Sequence, residues 1–599
     1  MRADGLAGGE GGADRLGELI PVALRGMAAG VAERGGPVPA GGPAAVAAAL
    51  VAERGELGPV VAGVGGHEPA TAVRGAGPVP GAPGEPDRVV AEHRKPGPAV
   101  AGLGGHEPVI AVPGGGPVPG ELGRAAAGLG GHEPVIAVRG AGPVPGEPDP
   151  VVAERRKPEV PTPGATPAQR GEPAPAAGTG ALPRRGVGAE AALEQLSRLL
   201  AAGSADPADP ACAAHLHCPP LAVSVAADVV ASALNPSMDS WDQAPVASEL
   251  EREFTTGIAR LCYPRAESPD AVVTTGGTES NLLGLLLARE NGIFRSFCGA
   301  NAHHSVARAA WLLGLPAPIV VPCEGDRLLP GALAEVLTPG SVVVATAGTT
   351  NTGTLDPLPE IAGICRRAGA RLHVDAAYGG MALCSETLKT KLEGLELADS
   401  VALDLHKFGW QPVAAGLFAA REAADLGALT VRAEYLNADD DTEAGLPDLL
   451  GRSIRTSRRP DAFRMAVTVH ALGTDGLGAL VERCCATAAE VARRVEAHPG
   501  LRLWGPPELS TVVLRPVAAD ERGGDELVAR VRRALLEEGT AVIGRAALPT
   551  GPGGANQLWL KLTLLHPHTT AGDYLPLLDR IAATAGAELP AGRESPVAS

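Results

Sequence analysis

The run "SVALDLHKFGWQP" at residues 400–412 places Lys407 inside what otherwise reads as a buried strand and its exit. An ammonium is rarely buried there, because burial strips away its hydration, and a primary amine fixed at a strand end is a nucleophile toward carbonyl carbon. Four further strand ends carry polar residues able to serve it. In "TTGGTESN" (274–281), Gly276 and Gly277 let the backbone approach a ligand and Thr278 stands where a helix begins, so free amides and a hydroxyl can face an anion. Asp375 closes the apolar run of "HVDAAYGG", His303 precedes a helical stretch in "NAHHSVARA", and Thr349, Thr350 and Asp356 punctuate "ATAGTTNTGTLDP". Each has a plainer reading when taken alone: a capped helix, a turn aspartate, a satisfied structural histidine, a turn.

The elements that must position these residues alternate. "AVVTTGG" precedes the helical "ESNLLGLLLARE", "PIVVPC" precedes "PGALAEVL", and "SVVVATAG" precedes "LPEIAGICRRAG"; "RLHVDAAYG", "SVALDLHK" and "AAGLFAA" follow. Continuous β-branched runs between helices predict an α/β domain with a mainly parallel sheet covered on both faces. Ligands of such sheets sit at the carboxyl ends of the strands. Farther on, "LSTVVLRP", "TAVIGRAAL" and "LWLKLTLLHP", with the helices "DELVARVRRALLEEG" and "DYLPLLDRIAATAG", predict a small α+β domain.

Composition separates this core from what precedes it. The chain has 599 residues with 80 Gly and 56 Pro, yet the first Ser is Ser197 and the first aromatic residue is Trp241. "VVAEHRKP" at 89–96 returns as "VVAERRKP" at 151–158, and "GGHEP" recurs at His67, His106 and His132. Such a segment offers too few large side chains to offset its ordering entropy, so residues 1–185 are expected to be a disordered, repeat-bearing extension or the product of a misplaced start. The boundaries read 186–250 for an amino-terminal helical segment, 251–435 for the large domain, 436–490 for a mobile loop with connecting helices, and 491–590 for the small domain. Nine cysteines without C-x-x-C pairs suggest reduced thiols in a cytoplasmic protein. The net charge of -17 disfavours nucleic acid and anionic membranes as partners. No membrane span, signal peptide or metal site is expected.

An anion cradle, a carboxylate, an imidazole and a strand-end lysine together are what a pyridoxal 5'-phosphate site requires. At these residues the sequence resembles the group II pyridoxal-phosphate-dependent amino-acid decarboxylases. The resemblance covers roughly 187–585 and is carried by "HLHCPP", "NPSMDSWDQAP", "TTGGTESN", "AHHSVARA", "GTTNTGTLDP", "HVDAAYGG", "DLHK" and "RTSRRPDAFRMAVTVHALGTDGLG". It implies a fold type I homodimer with sites formed at the subunit interface. It also implies roles: Lys407 as the Schiff-base lysine, His406 at the cofactor phosphate, Asp375 at the pyridine nitrogen, Ala377 against the ring, His303 stacked on its other face, Gly277 and Thr278 in the phosphate turn, and Thr350 near the cofactor. "HLHCPP" and "SMDSWDQAP" look closest to the branch acting on L-2,4-diaminobutyrate and lysine, with His217 and Asp242 as pocket candidates. The alternatives are lysine or ornithine, aromatic amino acids, glutamate, or an inactive scaffold. Relatives carry a loop tyrosine that helps protonate the product carbon; "DTEAGLPDLLGRSIRTSRR" has none, the nearest being Tyr435, so His303 or water is expected to take that role. The helical arm ahead of "HLHCPP" reads as truncated or replaced.

Overall fold

The β-branched runs become the strands of two sheets in the computed structural model, which describes residues 12–37, 185–430, 446–550 and 554–587 together with positions 40, 183, 440 and 443. In chain order the strands are β1 (Cys212–Ala213), β2 (Asp270–Thr274), β3 (Arg295–Gly299), β4 (Ile319–Val321), the hairpin pair β5 (Cys323–Glu324) and β6 (Arg327–Leu328), β7 (Ser341–Thr346), β8 (Arg371–Asp375), β9 (Ser400–Asp404), β10 (Gly416–Ala420), β11 (Leu501–Leu503), β12 (Thr511–Pro516), β13 (Val542–Pro549) and β14 (Asn556–Thr563).

The large sheet has seven strands in the order β2-β10-β9-β8-β7-β3-β4. All neighbours pair parallel except β10, which runs antiparallel to both β2 and β9. Every residue of β7, β9 and β10 is buried, as a sheet covered on both faces demands. Register brings the carboxyl ends together: Thr346 pairs with Asp375, and Gly416 lies opposite both Asp404 and Thr274.

The small sheet runs β1-β13-β14-β12-β11. The helices Gly524–Glu537 and Ala571–Gly586 bury Val528, Val531, Leu578 and Ile581 in its core. One long helix, Asp461–Ala497, kinked at Gly473, joins the two cores: Met465 and Val481 belong to the large one, Val491 and Val495 to the small one. Trp410 holds the chain that leaves β14, donating its indole N–H to the Leu565 carbonyl at 2.8 Å. Tyr435 and much of the loop expected from 436 onward lie outside the described residues, as do the repeats.

Within residues 1–185, Gly12–Arg34 forms a helix. It packs on the helix Ala189–Ala202 through small residues: a Cβ placed on Gly26 or Gly30 would fall 2.3 Å from the Glu194 carbonyl oxygen or 2.0 Å from that of Arg198. Val22 is buried, Glu33 pairs with Arg198 at 2.9 Å, and Arg34 pairs with Asp206 at 2.7 Å while donating to the carbonyls of Ala201 and Ser204. Partners rise together along both helices, so they run parallel and the connection need only return about 20 Å. Filling both close approaches, in Gly26→Val together with Gly30→Val, is therefore expected to lower the thermal midpoint by several degrees, and an unchanged midpoint would refute the docking.

Candidate active site

Where β2, β7, β8 and β9 end, a cavity of about 490 Å³ opens. Lys407 reaches it from the single turn Leu405–Phe408 that follows β9. That turn is fixed by the Ala415 carbonyl, which accepts from the backbone N–H groups of both Leu405 and His406. Lys407 Nζ lies 2.9 Å from Asp404 Oδ2, and His406 Nε2 lies 3.5 Å from the same oxygen. Asp404 Oδ1 is buried and without a partner among the described residues.

Asp375 is the last residue of β8. Its Oδ1 accepts the Ala377 N–H at 3.1 Å and its Oδ2 accepts from Asn281 Nδ2 at 2.8 Å. His303 packs beside His304 with ring centroids 4.1 Å apart, and its Nδ1 lies 2.8 Å from Ser305 Oγ. Burial holds His303 below the ordinary imidazole value, opposed by the Asp375 charge, so the ring is neutral at pH 7.

Between β2 and the helix Gly277–Glu290, the turn is held by Glu279, whose Oε2 accepts from the Thr275 N–H at 2.7 Å and its hydroxyl at 2.6 Å. Gly276 has φ +145, and a Cβ there would lie 2.9 Å from the His406 ring; on Gly277 it would lie 2.8 Å from the Ala377 methyl. Any larger residue would fill the space between turn and cavity. The helix start leaves its first amide N–H groups without intrahelical acceptors, and Thr278 is exposed beside them.

The chain matches the pyridoxal-dependent decarboxylase conserved domain over residues 180–516. It belongs to the pyridoxal-dependent decarboxylase family. The L-2,4-diaminobutyrate decarboxylase of Rhizobium meliloti is 37% identical to it over 67% of this chain and 83% of its own length, and that of Acinetobacter baumannii is 32% identical over 67% and 85%. A solved structure from Vibrio parahaemolyticus, described as the glutamate decarboxylase domain of a diaminobutyrate-pyruvate transaminase and L-2,4-diaminobutyrate decarboxylase, has a TM-score of 0.59 and 29% identity, covering 68% of this chain and 87% of that one. The chain is thus a pyridoxal-phosphate-dependent amino-acid decarboxylase with the fold type I architecture.

The residues of this decarboxylase fit that cofactor. The glycine cradle and helix start suit a phosphate, an orphaned carboxylate oxygen sits beside the amine of Lys407, and Asp375 is fixed by two donors. The cavity gathers Gly277, Thr278, His303, Thr350, Asp375, Ala377, His406 and Lys407, all singled out from the sequence.

It does not gather His217 or Asp242. His215 and Leu216 both have left-handed backbone (φ 63 and 57), which turns those two residues to the cavity and leaves His217 exposed outside its lining. Asp242 is exposed and accepts from Ser240 Oγ at 2.5 Å.

Three contributors went unrecognised in the sequence: Asp404, Asn281 and Lys561. Lys561 stands on β14, lines the cavity and donates to the Thr350 carbonyl at 2.6 Å. Burial lowers its pKa to about 8, opposed by the charge of Asp326. A lysine in the apolar "LWLKLTLL" gives the same signal that marked Lys407.

The Thr349–Thr354 turn that presents Thr350 is itself anchored. Asp326 Oδ2 accepts the hydroxyls of Thr349 at 2.6 Å and Thr352 at 2.7 Å, while Asp356 accepts from the Leu328 and Thr346 N–H groups and from Asn301, each at 2.8 Å. Among the described residues, no helix is long and apolar enough to cross a membrane, and no group of His, Cys, Asp and Glu is arranged to hold a metal ion.

Proposed function

We propose that this decarboxylase acts on an L-diamino acid, with L-2,4-diaminobutyrate as the preferred substrate, and that it works as a homodimer. The observation that carries the substrate is the 37% and 32% identity to two L-2,4-diaminobutyrate decarboxylases over more than four-fifths of their lengths. The cavity supports it: of its lining residues only Tyr378 has a carbocyclic aromatic ring, and its hydroxyl is engaged by Ser510 at 2.8 Å and Thr511 at 3.0 Å, so the walls suit a short polar side chain better than an indole.

Bound pyridoxal phosphate supplies the electron sink for the pair left behind when carbon dioxide departs. Lys407 would provide the amine that holds it, Gly277, Thr278 and His406 would meet its phosphate, and the Asp375 carboxylate would serve its ring nitrogen. Lys561 orients the substrate carboxylate with a charge-assisted hydrogen bond. Of the lining carboxylates, Asp375 is bound by Asn281 and Ala377 and Asp404 Oδ2 by Lys407, with Asp404 Oδ1 unpartnered among the described residues. The distal ammonium is assigned to Asp242, exposed in the single chain and contributed across the subunit boundary. His303, neutral, would orient by hydrogen bonding the water that supplies the proton the product carbon requires.

Comparing kcat/KM for L-2,4-diaminobutyrate, ornithine, lysine, glutamate and aromatic amino acids tests the assignment. The diaminobutyrate value should exceed that for neutral and acidic substrates by at least about tenfold, an advantage that Asp242→Asn abolishes; an unchanged preference in Asp242→Asn removes that residue from the account. Lys561 is charged below about pH 8 and loses its proton above it. The substrate KM should therefore rise as pH increases through 8, and Lys561→Arg should flatten that limb because guanidinium stays charged. A wild-type KM that is flat from pH 7 to 9.5 would exclude the carboxylate role.

A further inference from the structure

One side chain buried behind the cavity wall touches three others that matter and has no place in the roles assigned so far. Asn281 is fully buried in the helix Gly277–Glu290. Its Nδ2 donates to Asp375 Oδ2 and to Ser305 Oγ, each at 2.8 Å, and its Oδ1 lies 2.9 Å from His373 Nε2. Its amide cannot be turned round, because its oxygen would then face the carboxylate of Asp375. His373 agrees with this orientation. It is fully buried and neutral, so the nitrogen facing Asn281 Oδ1, Nε2 at 2.9 Å, carries its one proton, and Nδ1 is left to accept from Ser400 Oγ at 2.9 Å.

The same directionality passes to His303. Ser305 Oγ accepts from Asn281, so its own hydrogen is free to go to His303 Nδ1 at 2.8 Å; the Ser305 backbone N–H, which can only donate, also points at that nitrogen from 3.4 Å. Two donors converge on Nδ1, which must be the unprotonated nitrogen. The proton of the neutral ring then resides on Nε2, on the edge turned away from Ser305.

We propose that Asn281 is a positioning residue that uses one amide group to orient the Asp375 carboxylate and, through Ser305, to hold His303 as the Nε2–H tautomer, the form that can present a proton to the cavity. The inference rests on decarboxylation at this cavity and is independent of which amino acid is the substrate.

The test is the 15N spectrum of histidine-labelled apoenzyme in the solid state, with His303 assigned by its loss in His303→Gln. Wild type should show Nδ1 unprotonated and Nε2 protonated. Ser305→Ala removes one donor and should give a mixture of tautomers while cofactor affinity stays within about twofold. Asn281→Leu should do both, relaxing the tautomer and weakening cofactor binding about tenfold or more, as expected when a charge-assisted hydrogen bond is lost. In the loaded enzyme, kcat should fall about tenfold in Ser305→Ala with KM little changed. A wild-type His303 protonated at Nδ1 would overturn the proposal, as would a Ser305→Ala enzyme with an unaltered tautomer. A folded Asn281→Leu protein with wild-type cofactor affinity would remove the Asp375 arm. None of the apoenzyme readouts depends on turnover, so their failure is distinguishable from a wrong substrate.

Discussion

Replacing Lys407 by alanine is expected to abolish carbon dioxide release, on the order of 10⁴-fold or more, because no other group at the end of β9 offers an amine. The visible absorbance of bound cofactor should vanish with it. Lys407→Arg sharpens the expectation. A guanidinium preserves a positive partner for Asp404, which now holds Lys407 Nζ at 2.9 Å and is almost fully buried, so the fold should survive while chemistry is lost. Without that substitution, the loss in Lys407→Ala could be attributed to an unpaired buried carboxylate, since breaking such a pair destabilises by about 3–5 kcal/mol. Steady-state turnover with the thermal midpoint of both variants separates these contributions. An active Lys407→Ala protein would sink the assignment.

The second large effect belongs to Asp375. Asp375→Asn keeps the shape of the side chain but removes the charge, and it sets an amide NH₂ against either the Asn281 Nδ2 donor or the Ala377 N–H, both of which now donate to carboxylate oxygens. A donor facing a donor leaves a buried polar group unsatisfied. The expected outcome is a fall in kcat of roughly 10²-fold or more, as for loss of one preorganised electrostatic group, with weaker cofactor retention on dilution. Asp375→Glu retains charge but carries the carboxylate one methylene farther from the Asn281 and Ala377 donors, and it should recover only part of the loss. Wild-type kcat in Asp375→Asn would show that no negative charge is needed at that position.

Legibility in the sequence followed the strength of local signals. β7 and β9 could be read directly because they are unbroken apolar or β-branched runs ending in polar residues, and their register then places Thr346, Asp375 and Asp404 at one edge. β3 could not: "RSFCG" has one large apolar residue, and it becomes a strand only because β7 and β4 flank it. The antiparallel direction of β10 was equally hidden, since period and composition do not encode direction. The helix Gly12–Arg34 carries leucines at helical spacing, but the Gly/Pro-rich average of the surrounding segment masked it, and its glycines are packing surface rather than breakers. Asn281 sat in a quoted motif without a role because its importance lies in three partners distant in sequence: Ser305, His373 and Asp375. Asp242 had the opposite fate. Its motif is specific, but nothing in the spacing revealed that the side chain faces solvent in the single chain.

Two lysines line the cavity, and their chemistry makes them rivals. Lys561 has a pKa lowered to about 8 by burial, whereas Lys407 has the phosphate turn and Asp375 around it. Borohydride reduction of the cofactor-loaded protein, followed by peptide mass mapping, decides between them by leaving the cofactor covalently attached to the amine that held it. The account predicts a single modified peptide with the added mass on Lys407 and none on Lys561. Modification of Lys561 alone, or no modified lysine in a protein that retains cofactor, would contradict it.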